Sequence, residues 1–260
     1  MIVITGATGN VGRPLVDALA GQTVTAVSRA DGVDLTHPET LKPALDGADA
    51  LFLLTAGSFL ANGRMTDVIE VVKSAGVPKV VLLSSQGVAT GRHPSVHEDA
   101  VTGSGLDWTI LRGSNFASNA FQWAEPVRTQ RILAAPFGDV AVPVVDPADI
   151  AAVAAVALTR PGHTGQVYSL TGPAALTPRQ QAQAIEDALG DPVQYVELTR
   201  AEARAGMLAF MPEPVVDTTL DILGTPTPEE QQVSDDIETV LGRPAGTFAD
   251  WVSRNLPAFR

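Results

Sequence analysis

Five short runs rich in Val, Ile and Leu punctuate the first half of the chain: residues 2–4, 23–27, 51–54, 79–83 and 107–111. Between them the apolar positions change period. Val11, Leu15, Ala18 and Leu19 fall on one helical face within residues 11–20, as do Val68, Val71, Val72 and Ala75 within 67–75. Such spacing predicts amphipathic helices, whereas unbroken apolar runs predict strands covered on both sides. A short helix is expected at 41–45 and another at 93–102, and Gly76-Val77-Pro78 ends the helix before it. Strands separated by single helices imply right-handed crossovers and a parallel sheet, hence an α/β, doubly wound architecture.

Beyond Leu111 the alternation loosens. A strand is expected at 141–145, an alanine-rich helix at 149–158 and a last sheet strand at 166–170. Residues 177–189 carry a complete set of helix signals, with Thr177 as N-cap, Pro178 in the first turn and Gly190 as the stop. Prolines and acidic residues multiply after that. The expected division is a first domain over 1–170, with 113–140 contributing to a substrate pocket, and a smaller, mostly helical lobe over 171–260.

The segment joining the first strand to the first helix reads Thr5-Gly6-Ala7-Thr8-Gly9-Asn10-Val11-Gly12. Gly6 suits a tight turn, Gly9 a close backbone approach to a pyrophosphate, and Gly12 the packing of helix on strand. Gly6, Thr8, Gly9, Asn10, Val11 and Gly12 are therefore candidates for binding a dinucleotide, in a Rossmann-type domain. An NAD site carries an acid at the end of the second strand to hold the ribose 2′-hydroxyl. Ser28-Arg29 stands there instead, and the first acid is Asp31. A guanidinium pairs with a 2′-phosphate, so NADP(H) is expected in preference to NAD(H); the alternative is that Arg29 is a solvated turn residue.

Composition narrows the partners. The net charge of -12 supplies no basic stripe for nucleic acid. The longest uncharged stretch, 50–63, is too short to span a bilayer as a helix, and the first residues read as a strand with no basic leader. A cytoplasmic protein with a small-molecule partner is expected, either monomer or homodimer. Without cysteine, thiolate chemistry is excluded. The four histidines suggest no metal site.

Three further stretches point to a family. Leu82-Leu83-Ser84-Ser85, the run Ser104-Gly105-Leu106-Asp107-Trp108-Thr109-Ile110-Leu111-Arg112, and Val145-Asp146-Pro147-Ala148-Asp149-Ile150-Ala151-Ala152 resemble, together with residues 5–19, the NmrA-like group of atypical short-chain dehydrogenases. The resemblance spans essentially the whole chain and is weakest after about Leu189. It implies NAD(P)H:quinone oxidoreductases, triphenylmethane-dye reductases, imine reductases or non-catalytic redox sensors as the functional range. It also places Asp34 and Leu35 near the adenine. Thr55, Ala56 and Gly57, just after the apolar run at 51–54, are expected along the cofactor, where small residues avoid collision with it.

Ketone-reducing members of the wider superfamily use a Tyr-x-x-x-Lys pair, in which the lysine lowers the tyrosine pKa. This chain has only Tyr168 and Tyr195, followed four residues on by Gly172 and Thr199. The expected chemistry is consequently hydride transfer from NADPH to an acceptor that is already activated, such as a quinone, an iminium ion or a cationic aromatic compound. His97 is the candidate local acid, or else a surface helix histidine beside Glu98 and Asp99. Ser85, at a strand end facing the ligand crevice, is a second catalytic candidate, or a simple cap. Ser84 shares that ambiguity and is counted with the cofactor site. Asn115, Phe116, Phe121 and Trp123 are candidate substrate contacts for a flat, aromatic acceptor, though aromatic residues equally suit a core. The alternative function is a cofactor sensor that binds NADP(H) without catalysis.

Overall fold

The computed structural model describes residues 1–55 and 57–260; Ala56 lies outside the described residues, as do the side chains of Ser58, Ala61 and Asn62. Its strands are β1 (Ile2–Thr5), β2 (Val24–Val27), β3 (Ala50–Leu53), β4 (Lys79–Ser85), β5 (Asp107–Gly113), β6 (Asn115–Phe116), β7 (Ile132–Pro136), β8 (Val142–Val145), β9 (Gln166–Leu170), β10 (Ala175–Leu176) and β11 (Gln194–Leu198). The helices in the first half are α1 (Gly12–Ala18), α2 (Lys42–Leu45), α3 (Gly57–Asn62), α4 (Met65–Ser74), α5 (Gln86–Ala89) and α6 (Val96–Thr102). Those that follow are α7 (Ala124–Gln130), α8 (Pro147–Thr159), α9 (Pro178–Leu189), α10 (Arg200–Met207), α11 (Glu213–Gly224), α12 (Asp236–Leu241) and α13 (Phe248–Asn255).

The chain divides into two compact units. The first comprises Met1–Gly113, Pro147–Leu170 and Asp236–Arg243. Its six-stranded sheet has the order β2-β1-β3-β4-β5-β9, every neighbouring pair parallel. Alternate residues explain the double winding. Val3, Leu51, Leu53, Val80, Leu82 and Ile110 share a buried cluster with Val68, Ile69 and Val72 of α4 and Val101 of α6. Their neighbours in sequence, including Ile4, Phe52, Val81 and Leu111, are buried on the opposite face. There α8 packs against β3, β4 and β5 and against α1. Helix α8 is apolar nearly all round, with Ile150, Ala151, Val153, Ala154 and Ala157 fully buried, as its position between sheet and helix requires. Long-range links to the last segment include the Asp236 carboxylate, which accepts the Ser169 N–H at 2.7 Å, and Arg243, which pairs with buried Asp149 at 2.7 Å.

The second unit comprises Ser114–Asp146, Thr171–Asp235 and Pro244–Arg260. The single boundary expected after residue 170 is therefore one of five, the others falling after 113, 146, 235 and 243. Two small sheets, β10-β8-β6 and β11-β7, accompany its helices. Its main core gathers Trp123, Val127, Leu133, Ile185, Trp251, Val252 and Phe259, and a smaller cluster seats Phe137 against Ala203, Val216 and Leu220. Helix α9 begins with a reciprocal Thr177–Gln180 capping box and ends at Gly190 in the left-handed region, as its local signals predict. The expected helix at 93–102 is shorter. His93 precedes Pro94, whose ring disfavours helical backbone for the residue before it, and α6 starts at Val96.

Candidate functional site

The turn after β1 is built by two glycines. Gly6 has φ +66°, and a Cβ there would lie 2.9 Å from Leu54 Cδ2. Gly12, at the start of α1, is pressed on the turn so closely that a Cβ would lie 2.2 Å from Gly6 O and 2.7 Å from Ala7 Cα. No other side chain fits these atoms. The turn is tied sideways at both edges. Thr5 Oγ1 accepts the Leu54 N–H at 2.8 Å, at the end of β3, and the Ala7 N–H reaches Val27 O at the end of β2.

Between these strand ends lies a cavity of roughly 370 Å3, within the range of small-molecule sites. It is lined by Thr5, Gly6, Thr8, Gly9, Ser28, Arg29, Asp34 and Leu35, with Val27, Ala30, Val33, Leu54 and Phe59 completing the wall. Seven of the residues expected at the cofactor thus come together there: Gly6, Thr8, Gly9, Ser28, Arg29, Asp34 and Leu35. At the β2 end, Ser28 donates both its N–H (2.9 Å) and its hydroxyl (2.7 Å) to Asp31 Oδ2, so that carboxylate is already engaged by its own turn. Arg29 is exposed, and among the described residues its guanidinium has no ion-pair partner. Asp34 accepts the Thr36 N–H and hydroxyl, and these hold its carboxyl below the usual carboxylate range.

Other expected cofactor residues are placed elsewhere. Asn10 is exposed, Val11 is buried in the core, and Gly12 acts through packing; none of the three lines the cavity, nor do Thr55 or Gly57. Ala56 lies outside the described residues. The wall residues Leu54 and Phe59 had no polar signal to mark them, although Phe59 is the one aromatic side chain among the described residues lining the cavity.

Ser84 belongs to a different cluster. Its hydroxyl donates to Glu98 Oε1 at 2.6 Å, and Arg112 donates to the same carboxylate through Nε (3.0 Å) and Nη2 (2.5 Å). Glu98 is buried, and its hydrogen bond raises the Arg112 pKa above the ordinary value. Adjacent strands bring these groups together, since Ser84 is opposite Arg112 in the β4–β5 register.

Ser85, the next residue, ends β4 and caps α5 by accepting the Gly87 N–H at 3.1 Å. Its Oγ also lies 3.2 Å from Nδ1 of His93, a residue that its sequence context did not single out as a partner. His97 is not a solvated helix histidine. It is half-buried on α6 with its ring centroid 5.4 Å from that of Phe59, and desolvation lowers its pKa. Burial therefore favours the neutral ring over the imidazolium that would serve as an acid.

In the second unit, Asn115 and Phe116 form β6 beside Val144 and Val145. Phe121 is partly exposed, with its ring against Trp251 (centroids 4.9 Å) and Phe259. Trp123 is a buried member of that unit's main core. Ser114 and Ser118 carry buried hydroxyls with no hydrogen-bond partner among the described residues.

A parallel sheet, a glycine turn after its first strand and an unpaired cation at the end of the second define a dinucleotide-binding domain, and the residues present fit such a group. A family model described as NAD(P)H-binding matches residues 31–161. The (4-alkanoyl-5-oxo-2,5-dihydrofuran-3-yl)methyl phosphate reductase of Streptomyces griseus subsp. griseus is 35% identical over 281 residues, covering 100% of this chain and 99% of that protein. The NAD(P)H azoreductase of Xenophilus azovorans is 33% identical, with 100% and 99% covered. The crystal structure of the NADPH-dependent quinone oxidoreductase QOR2 of Escherichia coli, complexed with NADPH, superposes with a TM-score of 0.82 at 26% identity, covering 98% of this chain and 100% of that one. The chain belongs to the NAD(P)H-binding family. It is an NAD(P)H-dependent reductase. No described helix is long and apolar enough to cross a membrane, and no described cluster of three acids or histidines could hold a metal ion.

Proposed function

We propose that the protein uses NADPH, in preference to NADH, to reduce a small conjugated or cationic acceptor: a quinone, an imine or iminium, or a charged aromatic compound. The observation that carries the cofactor choice is Arg29, exposed on the cavity without an ion-pair partner among the described residues, while the nearby acid Asp31 is held by Ser28 and is not among the described residues lining the cavity. A guanidinium so placed meets a 2′-phosphate with charge-assisted hydrogen bonds, whereas a carboxylate in its place would repel one.

The acceptor class follows from what the chain lacks. Tyr168 Oη is 2.8 Å from His163 Nδ1, and Tyr195 donates to Ala135 O at 2.8 Å with Arg179 stacked over its ring. Burial pushes the Tyr195 pKa up to about 12. Neither tyrosine is followed four residues on by the lysine that would make it a strong proton donor near neutrality, which argues against a simple ketone as acceptor. The relatives named above act, by their names, on an unsaturated lactone phosphate, an azo compound and a quinone, all of which spread the charge that hydride addition creates. The bound nicotinamide supplies the hydride, and the turn at Gly6–Gly12 with Ser28, Arg29, Asp34 and Leu35 would hold the cofactor.

The test is cofactor oxidation followed at the nicotinamide absorbance, with NADPH and NADH each offered against quinones, azo compounds, cyclic imines and cationic dyes. Turnover with one of these classes and a preference for NADPH is expected. Tight binding of NADPH with no oxidation by any class would overturn the reading and favour the non-catalytic sensor.

A further inference from the structure

We propose that Phe59 is the specificity-determining wall of the cofactor cavity: its clamped ring meets the purine base of the dinucleotide and sets how large that base can be. The inference rests on the cofactor reading above and adds a residue that touches the base rather than the phosphates.

The lining of the cavity divides by chemistry. Gly6, Thr8 and Gly9 belong to the glycine turn, which suits a pyrophosphate, and Ser28 and Arg29 at the end of β2 suit a phosphate on the ribose. Val33, Leu35, Leu54 and Phe59 remain, an apolar wall broken by Asp34. A volume of roughly 370 Å3 is at the small end of small-molecule sites, with room for one nucleotide half of the cofactor. In that half the purine is the one flat, largely apolar group, so it is the part that gains by facing this wall.

Phe59 is a fixed part of the wall. It is 1% exposed and belongs to the buried cluster that includes Leu35, Leu53, Met65 and Val101. Gly63, just beyond α3, donates its N–H to Phe59 O at 2.7 Å and comes close against the ring. A Cβ at Gly63 would overlap Cδ2 and Cε2 of that ring and stand 2.6 Å from Cγ. The half-buried His97 ring packs on Phe59 from α6, tilted by 49° with centroids 5.4 Å apart. His97, expected as an acid, thus braces the wall. A ring held in this way has no spare volume to retreat into, since a packed interior yields little to an added carbon. A base that carries extra bulk toward Phe59 is therefore rejected, whereas a smaller side chain at this position would admit it.

Equilibrium binding tests this without any turnover. Titration calorimetry compares NADP+ with two analogues enlarged on different edges of the purine, the ethenoadenine and 8-bromoadenine forms, on the wild-type protein, Phe59→Val and Gly63→Ala. The wild type should bind at least one analogue about 10–200-fold more weakly than NADP+, the range for a misfit of one carbon in an apolar pocket. Phe59→Val should bring that ratio close to one. Gly63→Ala keeps every lining residue, and the three atoms nearest its methyl all belong to the Phe59 ring, so the ring must move and the same ratio should change. Each ratio compares two ligands on one protein, so a partial loss of folded protein leaves it unaffected. Full binding of both analogues by the wild type, or a discrimination unchanged in either folded variant, would overturn the proposal. The NAD+ series, with the same changes of base, keeps the two readings apart. Equal affinity for NAD+ and NADP+ with base discrimination intact would overturn the Arg29 assignment and leave Phe59 in its role.

Discussion

Replacing Glu98 by alanine removes the centre of the cluster that ties α6 to β4 and β5. The carboxylate is 6% exposed and the Arg112 side chain 23% exposed, and three hydrogen bonds of 2.5–3.0 Å converge on the acid. Loss of one partner of a fully buried pair costs about 3–5 kcal/mol, because the remaining charge is stranded. Arg112 retains some access to water, so the lower end, about 3 kcal/mol, is expected. For a chain of this size that is a fall of about 6–12 °C in Tm. Glu98→Gln keeps the shape and the bonds from Ser84 and Nε, but sets an amide N–H against the Arg112 Nη2 donor; about 2 kcal/mol is expected.

The decisive comparison is the double variant Glu98→Leu with Arg112→Met. If stranding of charge is the cause, removing both charges should cost well under the sum of the single losses, with a coupling of about 1–3 kcal/mol in the cycle. Calorimetry and urea unfolding of the four proteins measure it. Additive losses would refute the reasoning and show that the residues matter only for their packing volume.

Arg29→Ala should weaken NADPH binding by about 5–30-fold, the lower range for charge-assisted hydrogen bonds because the residue is exposed, and leave NADH unchanged. Titration calorimetry with both cofactors decides it, and a loss that did not shrink at high salt would count against a phosphate contact. In Gly12→Ala the new methyl meets backbone atoms 2.2 and 2.7 Å away, so α1 must shift; a loss of about 1–3 kcal/mol is expected, together with weakened binding of both cofactors. His97 has a lowered pKa in the folded protein, so the unfolded chain binds more protons below about pH 6.5 and stability falls as pH drops through that value. His97→Gln should flatten this part of the stability profile, as read by unfolding at a series of pH values.

The elements legible in the sequence are those whose signals are local. The turn at 5–12 carries its glycines beside the strand and helix they join, and α9 carries its own cap and stop. What escapes is set by contacts distant in the chain. Gln194–Leu198 pairs with Ile132–Pro136 in parallel, although some 60 residues separate them and neither segment alone reads as a sheet strand. The return of Asp236–Arg243 to the first unit depends on Asp236 meeting the Ser169 N–H and on Arg243 meeting Asp149, an ion pair that spans 94 positions. Charged surface residues of this kind look alike until a buried partner selects one. Trp123 illustrates the same limit: its composition signal suits a stacking platform and a core equally, and only packing against residues more than a hundred positions away separates the two. The cavity side chains Leu54 and Phe59 were hidden for a related reason, being apolar residues among apolar residues.

Ser84 and Ser85 show how a strand resolves an ambiguity that composition leaves. Successive residues of a strand point to opposite faces, so two adjacent serines cannot serve the same neighbours. Ser84 meets Glu98 on α6, and Ser85 meets Gly87 and His93. Their substitution should therefore have separate consequences. Ser84→Ala removes one of three bonds to a buried carboxylate that keeps its arginine, so about 1–2 kcal/mol of stability is expected to be lost, without a change in the ratio of neutral to cationic acceptors reduced. Ser85→Ala removes the N-cap of α5, so about 0.5–2 kcal/mol of stability is expected to be lost. It should in addition alter that ratio, since a neutral acceptor needs a proton beside the hydride and a cationic one does not. Unfolding midpoints and acceptor ratios for both variants form a two-by-two test. An acceptor ratio that moved with Ser84 would mean that the Glu98–Arg112 cluster reaches the reacting groups, and that the strand does not divide the two serines into a structural and a chemical role.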